Sequence, residues 1–198
     1  MEELNQKLFL LINAPAHPDP TLLIFAKICA EQLIWLIPIA VLLGWLCGPE
    51  KTRKIMLQAA VSAVIGMLLS QIIGILWQHP RPFMIGLGHN YVLHTADSSF
   101  PSDHLTLLWS VAFSFVLHQR VRVIGLMFAL MGVPVAWARV YVGVHFPFDM
   151  LGAAVVAAIS AGLGLWTAKW YVGQTFRCAT AIHRRLFAPF IRRGWLMK

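Results

Sequence analysis

Charge is what this chain has least of. Only 12% of its 198 residues are charged, where a soluble domain carries roughly 25%. Acidic residues are the scarcer kind, 8 Asp and Glu against 16 Lys and Arg. That deficit excludes an ordinary water-soluble domain. Cysteine is also sparse. Cys29 and Cys47 fall in one apolar run and Cys178 in a basic tail, so no disulfide framework is implied. There is no internal repeat and no low-complexity tract. The first residues, with Glu2 and Glu3, lack the basic start of a secretory signal peptide. What the chain does have is apolar surface: 59% of its residues are hydrophobic, with a mean hydropathy of +0.70. The expectation is an all-α, polytopic membrane helix bundle forming one domain over residues 1–198.

A helix needs about 20 apolar residues to cross a bilayer core. Five candidate spans meet or approach this, at about 22–46, 55–77, 104–119, 122–143 and 149–172. Lys27 and Glu31 interrupt the first at i,i+4 spacing, which suits a mutual ion pair. Ahead of the spans, Leu4, Leu8, Leu11 and Ile12 repeat at helical spacing. They predict a short helix over 1–20 lying on the membrane surface, ended by the prolines of APAHPDP.

The basic residues orient the bundle. Lys51, Arg53 and Lys54 follow span one, and Arg120 and Arg122 follow span three. Lys169, Arg177, Arg184, Arg185, Arg192, Arg193 and Lys198 close span five and fill a tail over 173–198, expected to be an interfacial segment. All fall on one side of a five-span layout. The positive-inside rule makes that side the cytoplasm. The net charge of +8 is therefore a topology signal rather than a nucleic-acid footprint, and no nucleic-acid partner is expected.

The opposite side is poor in charge but holds unusual chemistry. QHPRPF (78–83), FPSDH (100–104) and ARVYVGVHFPFD (138–149) bring Arg81, Ser102, Asp103, His104, Arg139, His145 and Asp149 to one face. Each has an ordinary reading. Arg81 suits an interface anchor and Arg139 a snorkelling cation. Ser102 and Asp103 suit a helix N-cap. Asp149 suits a cap beside Pro147, and a lone histidine at a helix end is usually a surface group. His79, His89 and His94 receive no role. Convergence weighs against the ordinary readings. Span three is only about 16 residues, or about 24 Å, so its polar start is expected inside the outer interface, where polar groups are costly. Arginine forks and the free N–H groups of a helix start both match phosphate oxygens. Asp97, Asp103 and Asp149 are too few and too scattered for a two-metal site, so no metal or cofactor is expected.

RP (81–82), PSDH (101–104) and RVYVGVHFPFD (139–149) resemble the three-part pattern of the type 2 phosphatidic acid phosphatase (PAP2) superfamily, with Arg139-x5-His145-x3-Asp149 matching in full. Within it the chain looks most like bacterial undecaprenyl pyrophosphate phosphatases. The resemblance implies a metal-independent phosphatase of the plasma membrane with its site on the extracytoplasmic face. Its substrate would be undecaprenyl pyrophosphate, or another lipid phosphate such as phosphatidylglycerophosphate or phosphatidic acid. Lipid phosphotransfer and mere phosphate binding are the rival readings. By the same resemblance His145 is the nucleophile, Asp149 its orienting acid and His104 the acid and base. Arg81, Ser102, Arg139 and the backbone N–H of Asp103 hold the phosphate. There are departures. The family lysine seven residues before Arg81 is here Gly74, with only His79 basic nearby. Ala138 stands where serine is usual, and Asp103 where glycine is.

Overall fold

A short apolar helix sits at the centre. In the computed structural model, which describes residues 1–194, α5 (Asp103–Val116) is only 14 residues long, about 21 Å at 1.5 Å per residue. Around it stand α4 (Glu50–Leu76), α6 (Arg122–Tyr141) and α7 (Pro147–Leu186). Leu105, Leu108, Val111, Ala112 and Phe115 of α5 are all buried. A helix walled in by protein need not match the bilayer thickness, which is why so short a span is tolerated. No strand occurs among the described residues.

Small residues let these helices meet closely, as lipid-embedded bundles require. Gly66 of α4 leaves room for Ser110 of α5, whose hydroxyl lies 2.8 Å from that of Ser160 on α7. Gly164 of α7 receives Ser62 of α4, and Gly132 of α6 receives the indole of Trp109. The Trp109 ring N–H donates to the Ala129 carbonyl at 3.1 Å, so a buried polar atom is satisfied inside the contact. Large aliphatic side chains such as Val64, Leu68, Ile72, Leu126, Leu130 and Val133 point outward, as a lipid-facing surface demands.

Four stretches are long and apolar enough to cross a membrane: 20–47, 50–76, 119–141 and 147–186. Four of the expected spans are recovered in this set with shifted ends, and the third expected span is the shorter α5. The first breaks at Gln32–Trp35 into a 3-10 turn between α2 (Pro20–Glu31) and α3 (Leu36–Cys47). Asp19 caps α2 by accepting from the Leu22 N–H at 2.8 Å, with Pro20 at its first position. At the break the chain changes neighbours, since α2 packs on α6 and α3 on α4. Lys27 and Glu31 form no ion pair, contrary to their spacing. The described ion pairs lie elsewhere.

Two other expected segments gain detail. Residues 173–186 of the expected tail are helical and continue α7, which runs for 40 residues, about 60 Å. A turn then leads into the short α8 (Ala188–Arg192). Lys198 lies outside the described residues. The N-terminal helix α1 (Glu2–Ile12) carries exposed Leu4, Leu10 and Leu11 on one face. Its opposite face is buried against the start of α7. Phe9 meets Phe146 edge-on at 5.4 Å, and Asn5 accepts from the Phe148 N–H at 3.0 Å.

Candidate active site

The site is built where α4, α5, α6 and α7 present their ends on one face of the bundle. Between α6 and α7 the backbone turns at Gly143, with φ of +88°. A Cβ there would lie 2.0 Å from the His89 carbonyl oxygen, so this turn requires glycine twice over. The close approach lets the long loop 86–102 lie across it, fastened by the Tyr91 N–H to the Val142 carbonyl at 2.9 Å. Asn13, just after α1, joins the same junction by donating to the carbonyls of His89 and Tyr141.

His145 follows this turn and is wholly buried. Its two ring nitrogens have different surroundings. Nδ1 has two close acceptors, the Ser99 carbonyl at 3.0 Å and Asp149 Oδ2 at 3.2 Å, with Arg81 Nη1 farther off at 3.4 Å. Nε2 faces donors, Arg81 Nη1 at 3.1 Å and Arg139 Nη2 at 3.2 Å. Guanidinium groups only donate. The arrangement therefore assigns the proton to Nδ1 and leaves the Nε2 lone pair aimed between two cations. Burial, then the charges of Arg139 and Arg81, hold the ring well below its usual pKa, so it is neutral at pH 7.

Asp149 comes from the first turn of α7, four residues on, which places it back over His145. Its Oδ2 also accepts from the Phe146 N–H at 2.8 Å and from the Ser99 hydroxyl. Ser99 thus grips both partners, through its carbonyl and its side chain. Arg81 is fixed at every nitrogen. Nε donates to Asp97 Oδ1 at 2.8 Å, Nη1 to the Val144 carbonyl at 3.0 Å and Nη2 to the Ser98 carbonyl at 3.2 Å. Arg139, almost fully buried, gives Nη2 to His145 and to His94 Nε2, the latter at 3.1 Å.

Two buried donors beside this centre have no partner within the protein, Ser102 Oγ and Arg139 Nε. Ser102 precedes α5 but makes no side-chain cap bond, so the N-cap reading of its hydroxyl fails. The first N–H groups of α5 lack intrahelical acceptors, as at any helix start. His104, in that first turn, is partly buried and lies within the fields of Arg139, His94 and Arg81. The Asp103 carboxylate turns away to α4, accepting from Ser70 and, at 3.2 Å, from Gln71. Only its backbone is available to the centre, so any phosphate contact from this residue is through the N–H.

The lysine position is equally clear. Gly74 faces Ser98 and lines a cavity of about 380 Å³ with Ser70, Gln71, Asp97 and Asp103. His145, Arg139 and Asp149 are absent from its walls. His79 does not replace the lysine either. Its Nε2 lies 3.2 Å from Glu2 Oε2, and its ring packs against Phe146. The sequence reading missed Ser99, Asp97 and His94. Ser99 stands within SSFPSDH, beside assigned residues. Asp97 and His94 lie in a loop without periodicity, and only tertiary contact gives them a place.

The sequence and the fold both have known relatives. Residues 55–173 match the PAP2 superfamily. The chain is 35% identical to a putative undecaprenyl-diphosphatase, YbjG, of Escherichia coli K12, over 99% of this chain and 98% of the relative. It is 33% identical to the undecaprenyl-diphosphatase BcrC of Bacillus subtilis 168, over 79% of this chain and 80% of the relative. Its fold is similar to the crystal structure of Aquifex aeolicus LpxE, with a TM-score of 0.65 and 25% identity, covering 82% of this chain and 94% of that one. This multi-pass membrane protein, with its histidine held between two arginines at one end of a helix bundle, belongs to the PAP2 superfamily.

Proposed function

We propose that this membrane lipid phosphatase hydrolyses undecaprenyl pyrophosphate to undecaprenyl phosphate and inorganic phosphate, recycling a cell-wall lipid carrier. The names of the E. coli and B. subtilis relatives support the substrate. The observation that carries the chemistry is the environment of His145, an Nδ1–H anchored by acceptors and an unprotonated Nε2 beside two guanidinium groups.

His145 Nε2 attacks the terminal phosphorus as the P–O bond to the remaining lipid phosphate breaks. His104 gives its proton to the leaving oxygen. The Nδ1–H, held by Asp149 and the Ser99 carbonyl, stabilises the cationic ring of the phosphohistidine, as the acid does in a Ser-His-Asp triad. His104, now neutral, takes a proton from water, the hydroxide attacks phosphorus, and the P–N bond breaks to free phosphate and His145. Arg81, Arg139, Ser102 Oγ and the first N–H groups of α5 hold the phosphoryl oxygens while charge builds on them. The lipid tail lies along the bundle among outward-facing aliphatic side chains. The positive-inside count supports placing this site on the extracytoplasmic face.

The test is phosphate release from undecaprenyl pyrophosphate, undecaprenyl phosphate, phosphatidylglycerophosphate and phosphatidic acid by the purified chain, with EDTA throughout. The pyrophosphate is expected to react fastest, and His145→Ala to lose several decades of turnover. Faster hydrolysis of a monophosphate lipid would replace the substrate. Release only upon added Mg²⁺, or retained activity in His145→Ala, would overturn the mechanism.

A further inference from the structure

The fixed positive charge around His145 is smaller than two arginines suggest. Arg81 is already engaged by Asp97, at 2.8 Å. Arg139 is left as the one cation of the pair without a carboxylate in hydrogen-bond contact. The lysine position of the family pattern, Gly74, opens into another cavity, and His79 is turned to Glu2. A pyrophosphate end brings more negative charge than this balances, since even a phosphate monoester carries about −1.5 to −2 at pH 7.

One residue is placed to make up the difference. We infer that His94 is a phosphate ligand beside His145, taking a proton from solvent when the anion binds and donating from Nε2 to a phosphoryl oxygen. The inference rests on reading the His145 site as a phosphate site. Its geometry is specific. The His94 and His145 rings are 6.1 Å apart, and both Nε2 atoms share Arg139 Nη2, at 3.1 and 3.2 Å. An oxygen that accepts from Arg139 Nη2 displaces an imidazole acceptor. The His145 Nε2 lone pair goes to phosphorus, and the His94 Nε2 is released to face the incoming oxygen. Its Nδ1 is already held, by the Thr95 carbonyl at 3.2 Å, with Asp97 Oδ1 at 3.9 Å. The side chain is 20% exposed, so a proton can arrive from water.

The groups facing His94 are Arg81 beside the 82–85 turn, Thr95 and Asp97 of its own loop, His104 of α5, Arg139 of α6 and His145 of the following turn. Burial and then Arg81 hold His94 below the usual histidine pKa, with Arg139 adding to this and Thr95 and Asp97 opposing. An arriving phosphate dianion reverses that field and favours the protonated ring. Binding therefore strengthens as pH falls through the pKa of the bound state.

The test is titration of inorganic phosphate into the detergent-purified full chain by calorimetry, at pH 6 and pH 8, for wild type, His94→Ala, His94→Gln and His94→Lys. Thermal melts check folding. His94→Ala is expected to bind phosphate about ten-fold or more weakly at pH 6, with a smaller loss at pH 8. His94→Lys restores the charge and recovers binding at both pH values. Ratios to wild type at each pH cancel the ionisation of phosphate itself. Unchanged binding in His94→Ala overturns the inference. So does recovery in His94→Gln with failure in His94→Lys, because that pattern marks a mere acceptor for Arg139. If wild type binds no phosphate, the phosphate reading of the His145 site falls first, and this result is distinct from the other two.

Discussion

A nucleophilic imidazole must be neutral, oriented and close to positive charge, three demands that conflict in water. Here burial and the two guanidinium groups keep His145 neutral, while Ser99 and Asp149 fix its tautomer. The sign of the pH effect follows. With its pKa held well below 6.5, His145 remains unprotonated through the range where a free histidine titrates, so its acid limb in kcat/KM lies below pH 6.5. Arg139→Gln removes one cause of the depression and moves that limb upward, alongside a lower maximum, in a profile from pH 4.5 to 8. A limb that stays in place would mean Arg139 does not act on the nucleophile. Ser99→Ala deletes the hydroxyl that steadies Asp149. A hydrogen bond to a charged group contributes about 1.5–3 kcal/mol, so kcat is expected to fall about 10- to 100-fold with little change in KM. At this scale the sequence was legible where residue spacing itself encodes geometry. Arg139, His145 and Asp149 sit at one turn and one helix start, and their separation is fixed locally. Ser99 and His94 reach the centre from 46 and 45 or more positions away, and no local pattern reports such a meeting.

The elements hold these groups through contacts that tolerate no added volume. A Cβ on Gly132 would fall 2.0 Å from the Trp109 ring nitrogen. Trp109 cannot swing aside without losing its bond to Ala129. Gly132→Leu is expected to destabilise the bundle by about 1–3 kcal/mol, read as a lower midpoint in detergent melts. Gly143→Ala acts differently. It strains a left-handed turn and strikes the His89 carbonyl, lifting loop 86–102 and its Asp97 away. Activity is expected to be lost while helical circular dichroism is unchanged, and equal losses of both would contradict a local effect. Helix existence was legible from apolar runs, and helix limits were not. The break at Gln32–Trp35 has one local cue, Pro38, whose ring crowds the Ile34 carbonyl four residues back, and the apolar run hides it. The continuation of α7 past residue 172 arises from packing: His183 is buried at 2% exposure and its ring lies 6.2 Å from Trp45 of α3. No sequence period records that.

For the whole molecule the decisive property is sidedness. The loop 86–102 and the α3–α4 junction occupy opposite ends of α4, so a membrane around the bundle separates them. With the native cysteines removed, Leu93→Cys, at a fully exposed position, is expected to react with an impermeant thiol reagent in intact cells. Lys51→Cys is expected to be protected until the cells are opened. The reverse pattern would put the site on the cytoplasmic face.

The docking of α1 also imposes an order of events. Asn5 meets Phe148 across 143 positions of chain, and at about 5–20 residues per second the ribosome needs roughly ten to thirty seconds to supply that partner. The segment made first is therefore completed last. During synthesis Asn5 waits for the Phe148 N–H, and Phe9 for the Phe146 ring, until the start of α7 emerges. Chains arrested before residue 142 should leave α1 open to protease, and chains extended through α7 should protect it, so that α1 docks fully only once the first turn of α7 has arrived.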